Sequence, residues 1–241
     1  MKEALRPVPS LGVPGKSWLL LAASLGLFTL TFVLGHLAKT YGSPGPDLAM
    51  DQLLIPGRNP ILTGLFLALH SLFSPLGNVI ILAFACLLLA ILKRPLTAIA
   101  FGSLVSIGWL SSEVGKIAVL RLRPPTEATQ ALIAEAGHDS FPSGHTAFAA
   151  ALAWGAVLVL AQTRHQRTVT AVAGAVLVTV VAYSRLYLGV HYPSDVMGAV
   201  LISTAAILFW LPLWNRMVEP PLRRSFLIAR MTDSPIIPNS T

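Results

Sequence analysis

Residues 167–214 read RTVTAVAGAVLVTVVAYSRLYLGVHYPSDVMGAVLISTAAILFWLPLW. Two apolar runs, 167–187 and 194–214, meet at a polar island: Ser184-Arg185, then His191, then Asp195. Each run has the roughly 20 residues a helix needs to cross a hydrocarbon layer about 30 Å thick. Lipid cannot hydrogen-bond an open backbone, so such runs must be helical. Tyr192-Pro193-Ser194 reads as the turn between them. Four more runs, at 17–37, 77–92, 95–120 and 143–162, repeat the pattern. The chain is 54% hydrophobic and only 11% charged, whereas soluble domains carry about 25% charged residues. The sequence therefore predicts an all-α fold: one integral-membrane domain over 1–241, built as a bundle of six transmembrane helices.

The stretch 41–75 breaks the rhythm. Asp47 and Asp51 lie one helical turn apart, and Gly57-Arg58-Asn59-Pro60 interrupts the chain. The apolar part at 61–73 is too short to span comfortably. Short interfacial helices are expected here, between spans one and two. His36 and His70 read as interfacial histidines. The first run follows Lys2, Arg6 and Lys16 like a signal peptide, but it exceeds the 7–15 residues of an h-region and no small-x-small site follows, so it reads as a retained span.

Placing the N-terminus inside puts eleven Lys and Arg residues in the cytoplasm and six outside. Three of those six, Lys116, Arg123 and Arg185, belong to polar islands. The count predicts a multi-pass cell-membrane protein with both termini cytoplasmic, the segment 215–241 being a cytoplasmic tail. All islands then face the periplasmic or extracellular side. The net charge of +7 is dispersed over loop edges and tails, which suits a membrane surface and not a nucleic acid. Cys86 is the single cysteine and sits in an apolar run, so an intramolecular disulfide and a cysteine zinc site are excluded.

Two further islands precede the one quoted. Lys116 and Arg123 are seven residues apart, which on a continuous helix puts them on nearly one face. Pro124-Pro125 then stops the helix. Arg121 would point about 160° away from Arg123 and reads as a snorkelling anchor. Glu113 reads as a structural partner of Lys116, three residues on. The next island, Pro142-Ser143-Gly144-His145, opens the fourth span after a loop in which His138-Asp139 reads as solvated. Ser143 is a candidate N-cap, Gly144 lets an anion approach the backbone, and a helix N-terminus is a ready anion site. His145 stands in the first turn, able to meet whatever binds there. In the last island Asp195 can fix the tautomer of His191 and raise its basicity. Each island alone admits an ordinary structural reading. Together they place two Arg, one Lys, two His and one Asp at one membrane face, and charges in spans cost roughly 2.5–3.5 kcal/mol each without compensation.

These motifs resemble the three signature motifs of the type-2 phosphatidic acid phosphatase superfamily. The resemblance covers 116–195, a catalytic core in which every signature position is present. It implies that His191 attacks phosphorus and forms a phosphohistidine, with Asp195 orienting it. It implies that His145 protonates the leaving oxygen and then activates water. Lys116, Arg123, Ser143, Gly144 and Arg185 would hold the phosphate oxygens. No metal and no cofactor is implied. The partners would be the bilayer and a membrane lipid phosphate: undecaprenyl diphosphate, phosphatidylglycerol phosphate or phosphatidic acid. The compact size and short loops lean towards a bacterial lipid enzyme. The competing expectation is a transporter or channel for anionic solutes, which would place charge near the bilayer midplane; a phosphatase of another phosphorylated substrate is the nearer alternative.

Overall fold

A computed structural model describes residues 17–42, 45–135 and 137–232, with side chains as far as Phe226. Lys2, Arg6, Lys16 and the last part of the expected tail, 233–241, lie outside the described residues. The described chain is all helical: α1 Ser17–Tyr41, α2 Pro46–Gln52, α3 Pro60–Leu72, α4 Pro75–Ile91, α5 Pro95–Val119, α6 Thr126–Thr129, α7 Gly144–Gly155, α8 Arg164–Tyr187, α9 Pro193–Leu213 and α10 Glu219–Thr232. A π-helical turn extends α7 to Leu160, and another joins α9 to α10.

Local chemistry sets several boundaries. Asn59 Oδ1 accepts from Leu62 N at 3.0 Å, with Pro60 in the first turn of α3. Ser74 and Pro75 start α4 in the same way. Thr163 and Gln166 form a reciprocal capping box at α8. Such caps satisfy backbone donors that a helix start leaves free.

This is an all-α membrane protein with four helices long and apolar enough to cross: α1, α5, α8 and the continuous stretch Pro193–Phe226. A fifth candidate is the pair α3 and α4, bent by 67° at the Ser74-Pro75 break. The expected count of six is thus not met by helix length. The run expected at 143–162 becomes Gly144–Leu160, a shorter apolar helix, about 25 Å long at 1.5 Å per residue. The expected interfacial segment holds α2, a 3-10 turn at Ile55–Gly57, and α3.

α7 is the hub, packed against α5, α8 and α9, while α1 lies along α9. Its buried side chains are mainly alanine, Ala147, Ala149, Ala150 and Ala151, with Phe148 among them. Small residues let helix backbones approach where lipid supplies no hydrophobic drive. Large side chains fill the core from neighbouring helices: Phe101 and Leu104 of α5, Ile207 of α9 and Trp214 beyond it. The outer faces are apolar too. Val169, Val172, Val176 and Val180 make one exposed stripe along α8, as a lipid-facing helix requires.

Phe141 is wedged between α1 and α9, one residue before Pro142 and across a cis peptide. A Cβ on Gly198 would lie 2.3 Å from Phe141 Cζ. Gly198→Ala should therefore cost about 1–3 kcal/mol of stability through overpacking. A lowered Tm of the detergent-purified protein is the expected result, and an unchanged Tm would contradict this packing.

Candidate active site

The three polar islands lie at one end of the bundle: the end of α5, the start of α7, and the α8–α9 junction. α5 stops at Val119, and Leu120 turns left-handed at φ 52°, its N–H donating to Lys116 O at 2.9 Å. Lys116 and Arg123 therefore do not share a helix face, as a continuous helix would require. Arg123 reaches the site from the non-helical strand of chain that follows the turn.

Arg123 Nη1 lies 3.2 Å from His191 Nε2 and donates to Val190 O at 3.1 Å. A guanidinium has donors only, so His191 Nε2 is the unprotonated nitrogen, with its lone pair towards Arg123. The proton then sits on Nδ1, which faces Asp195 Oδ2 at 3.4 Å. Asp195 also caps α9, accepting from Tyr192 N at 2.9 Å, and accepts from Ser140 Oγ. Burial, then the Arg123 and Arg185 charges, hold the His191 imidazole well below its ordinary range. Both effects favour the neutral imidazole.

Arg185 is fully buried, and its Nη2 donates to Glu135 Oε1 at 2.7 Å. The other Glu135 oxygen takes Arg123 Nη1. One carboxylate thus bridges both arginines. Burial raises the Glu135 carboxyl, but Arg185 and Arg123 together pull it below the usual carboxylate range. Arg185 Nη1 also donates to His70 Nδ1 at 2.9 Å. His70 stacks on His145, with ring centroids 5.2 Å apart, and its carbonyl accepts from His145 Nε2 at 3.2 Å.

Ser143 occupies the N-cap position of α7, but its hydroxyl makes no cap. It accepts from Thr146 Oγ1 at 3.2 Å, while Ser143 N donates to Asp195 O at 3.1 Å. Gly144 keeps open the space beside Lys116, whose Nζ lies 3.5 Å from where a Cβ would stand. Lys116 Nζ donates to Glu113 Oε1 at 2.9 Å, the pair expected from their spacing. The eight residues picked from the sequence thus converge, linked by contacts or by one intermediate side chain.

Other expectations are corrected. Arg121 is no snorkelling anchor: it is 2% exposed and ion-paired to Asp195 and Asp47. His70 belongs to the site and is not merely interfacial. Asp139 is not free in solvent but forks onto Arg123 at 3.0 and 3.2 Å, although His138 beside it is exposed. Glu135 drew no attention in the sequence. The available signal is charge balance: a buried Arg185 and a half-buried Arg123 need a counter-charge. Among the described residues, no group of three or more His, Cys, Asp or Glu side chains is arranged to hold a metal ion.

The PAP2 superfamily model matches residues 94–218, more than half of the chain. The chain belongs to the PAP2 superfamily. Within that superfamily it is 49% identical over 74 residues to phosphatidylglycerophosphatase B of Escherichia coli strain K12. It is equally similar to the proteins of that name in Escherichia coli O157:H7 and Shigella flexneri. The match takes in 30% of this chain and spans 28% of the length of those relatives. In structure, the transmembrane PAP2-type phosphatidylglycerolphosphate phosphatase of Bacillus subtilis superposes with a TM-score of 0.67 at 21% identity, over 81% of this chain and 96% of that one. LpxE of Aquifex aeolicus gives 0.55 at 24% identity, over 69% and 94%. At these identities the two structures speak for the PAP2 fold alone.

Proposed function

We propose that this PAP2 protein is a lipid phosphate phosphatase working through a phosphohistidine. One observation carries the reading: a buried His191, with Nδ1 towards Asp195 and its Nε2 lone pair towards Arg123. The Nε2 pair attacks phosphorus, the P–N bond forms, and the bond to the lipid oxygen breaks. His145 gives that oxygen its proton, and the adjacent phosphate's negative charge keeps the imidazolium charged until then. Water then loses a proton to His145 and attacks phosphorus, and the P–N bond breaks. Lys116, Arg123, Arg185, the Ser143 hydroxyl and the backbone N–H of Gly144 stabilise the charge on the equatorial oxygens.

The substrate class follows from surroundings and relatives. The site lies at one end of an apolar bundle, which suits a phosphate tethered to a membrane lipid. The partial relatives are named phosphatidylglycerophosphatases, which supports phosphatidylglycerol phosphate beside undecaprenyl diphosphate and phosphatidic acid. We also assign six crossings, with Gly144–Leu160 as a short central one. Both termini then lie in the cytoplasm and the site on the opposite face. The charge count supports that orientation, and placing the polar residues at one end favours an enzyme over a transporter.

The test is phosphate release by the detergent-purified protein in excess EDTA, with the three lipids offered separately. Release from at least one is expected. No release from any, by a folded protein, would overturn the reading.

Glu135 makes a second expectation. Its carboxylate holds both arginines that would grip phosphate, so substrate must displace it. Glu135→Gln removes the competing charge and should lower KM and the vanadate inhibition constant about tenfold, equivalent to 1.4 kcal/mol, with kcat nearly constant. A raised KM would show instead that Glu135 holds the arginines in place for the substrate.

A further inference from the structure

Arg121 lies outside the signature positions, yet it is among the largest fully buried side chains. Its Nη1 donates to Asp195 Oδ1 at 2.7 Å and to Ser194 Oγ at 2.6 Å. Its Nη2 donates to Asp47 Oδ2 at 2.8 Å. The guanidinium also lies over the Tyr192 ring, 3.9 Å from its centroid. Every one of these partners except Asp47 stands within the α8–α9 junction. Asp47 comes from α2, 148 positions before Asp195.

Asp195 is fully buried. Its two oxygens divide the work. Oδ2 receives Ser140, the Tyr192 N–H and His191 Nδ1. Oδ1 receives Arg121. Rotation of a carboxylate about its Cβ–Cγ bond moves both oxygens together, so a donor on each holds its plane most firmly. Arg121 supplies the donor on Oδ1 and is, among the described residues, the one permanently cationic side chain bonded to Asp195, while its own guanidinium is held by Asp47 on the other side and by Tyr192 beneath. Ser194 Oγ, which donates to Asp47 Oδ2, ties the two ends together. Asp51, one turn after Asp47, is buried beside them with no hydrogen bond on either oxygen. Burial, then Asp195 and Asp47, push its pKa to about 8. A neutral Asp51 leaves the charge of Arg121 to Asp47 and Asp195.

We propose that Arg121 is a positioning residue, held from the outer side by Asp47 of α2, which fixes the Asp195 carboxylate and through it the imidazole of His191. This rests on the phosphohistidine reading. It gives the short helix α2 a role in turnover, although no residue of α2 needs to touch the substrate. It also separates two arginines that are two positions apart: Arg123 faces the phosphate, and Arg121 faces the carboxylate behind the nucleophile.

The experiment compares kcat and KM of the full chain and its Asp47→Asn, Arg121→Lys and Arg121→Ala variants. Phosphatidylglycerol phosphate in mixed micelles is the probe. Misplacing a reacting group by about 1 Å costs on the order of 100-fold. Arg121→Lys, which keeps charge but loses the fork, should lose roughly 10–100-fold in kcat with KM unchanged. Asp47→Asn should lose less, again in kcat alone. Dilute guanidinium chloride should restore part of the Arg121→Ala rate, and sodium chloride at the same concentration should not. A merely structural arginine would show no such rescue of kcat. Should Arg121→Ala fail to fold, the two conservative variants still decide. Wild-type kcat in both of them, or a rise in KM with kcat intact, would overturn the positioning role. An inactive wild type on all three lipids would overturn the phosphatase reading and this inference with it.

Discussion

His191→Ala is expected to reduce phosphate release to the background rate. Removing the nucleophile of a covalent mechanism leaves only binding and charge stabilisation, and losses on the order of 10⁴–10⁶-fold follow in enzymes of this logic. His191 is 1% exposed, and its lone pair is presented beside Arg123. The substitution should spare the fold. Asp195, the buried charge that His191 faces, keeps Arg121, Ser140 and the Tyr192 N–H. Loss of activity with an unchanged Tm is therefore the expected pair of results. Because burial and two arginines keep His191 neutral, the acid limb of kcat/KM attributable to it should lie below the ordinary histidine range. An acid limb set by His191 near its ordinary value would contradict the geometry.

His145→Ala should lose on the order of 10²–10⁴-fold, the usual worth of a general acid–base group. The size should depend on the leaving group. A lipid alkoxide needs a proton as the P–O bond breaks, whereas nitrophenolate does not. The first step with p-nitrophenyl phosphate should therefore be slowed far less than with a lipid phosphate, and the phosphoenzyme should accumulate because its hydrolysis still needs a base. Equal losses in the first step for both substrates would show that His145 supports the site by its stacking on His70 and not by moving a proton.

How much of this was legible in the sequence depended on the range of the forces involved. The long helices were readable because lipid demands unbroken apolar runs: 167–187 was expected, and α8 is Arg164–Tyr187; 194–214 was expected, and α9 begins at Pro193. Local punctuation did the same for the turn at Tyr192-Pro193. The end of α5 was less legible. Leu120 carries no preference for a left-handed turn, so nothing in the sequence ends the helix before Arg123. Pairings at long range outside the three motifs are not legible. Arg121 meets Asp47 and Asp195 across 74 positions each, and Glu135 meets Arg185 across 50. No local period announces such partners. His70 was misplaced for the same reason: only the bend between α3 and α4 carries it over His145.

The central claim is the covalent phosphohistidine. Its most direct test is rapid quenching of the wild-type protein into base after mixing with phosphatidylglycerol phosphate radiolabelled in its terminal phosphate. Acid-labile, base-stable label on the peptide containing His191, formed and lost at rates that account for turnover, is the predicted result. Phosphate release at the full rate with no label on that peptide would contradict the account.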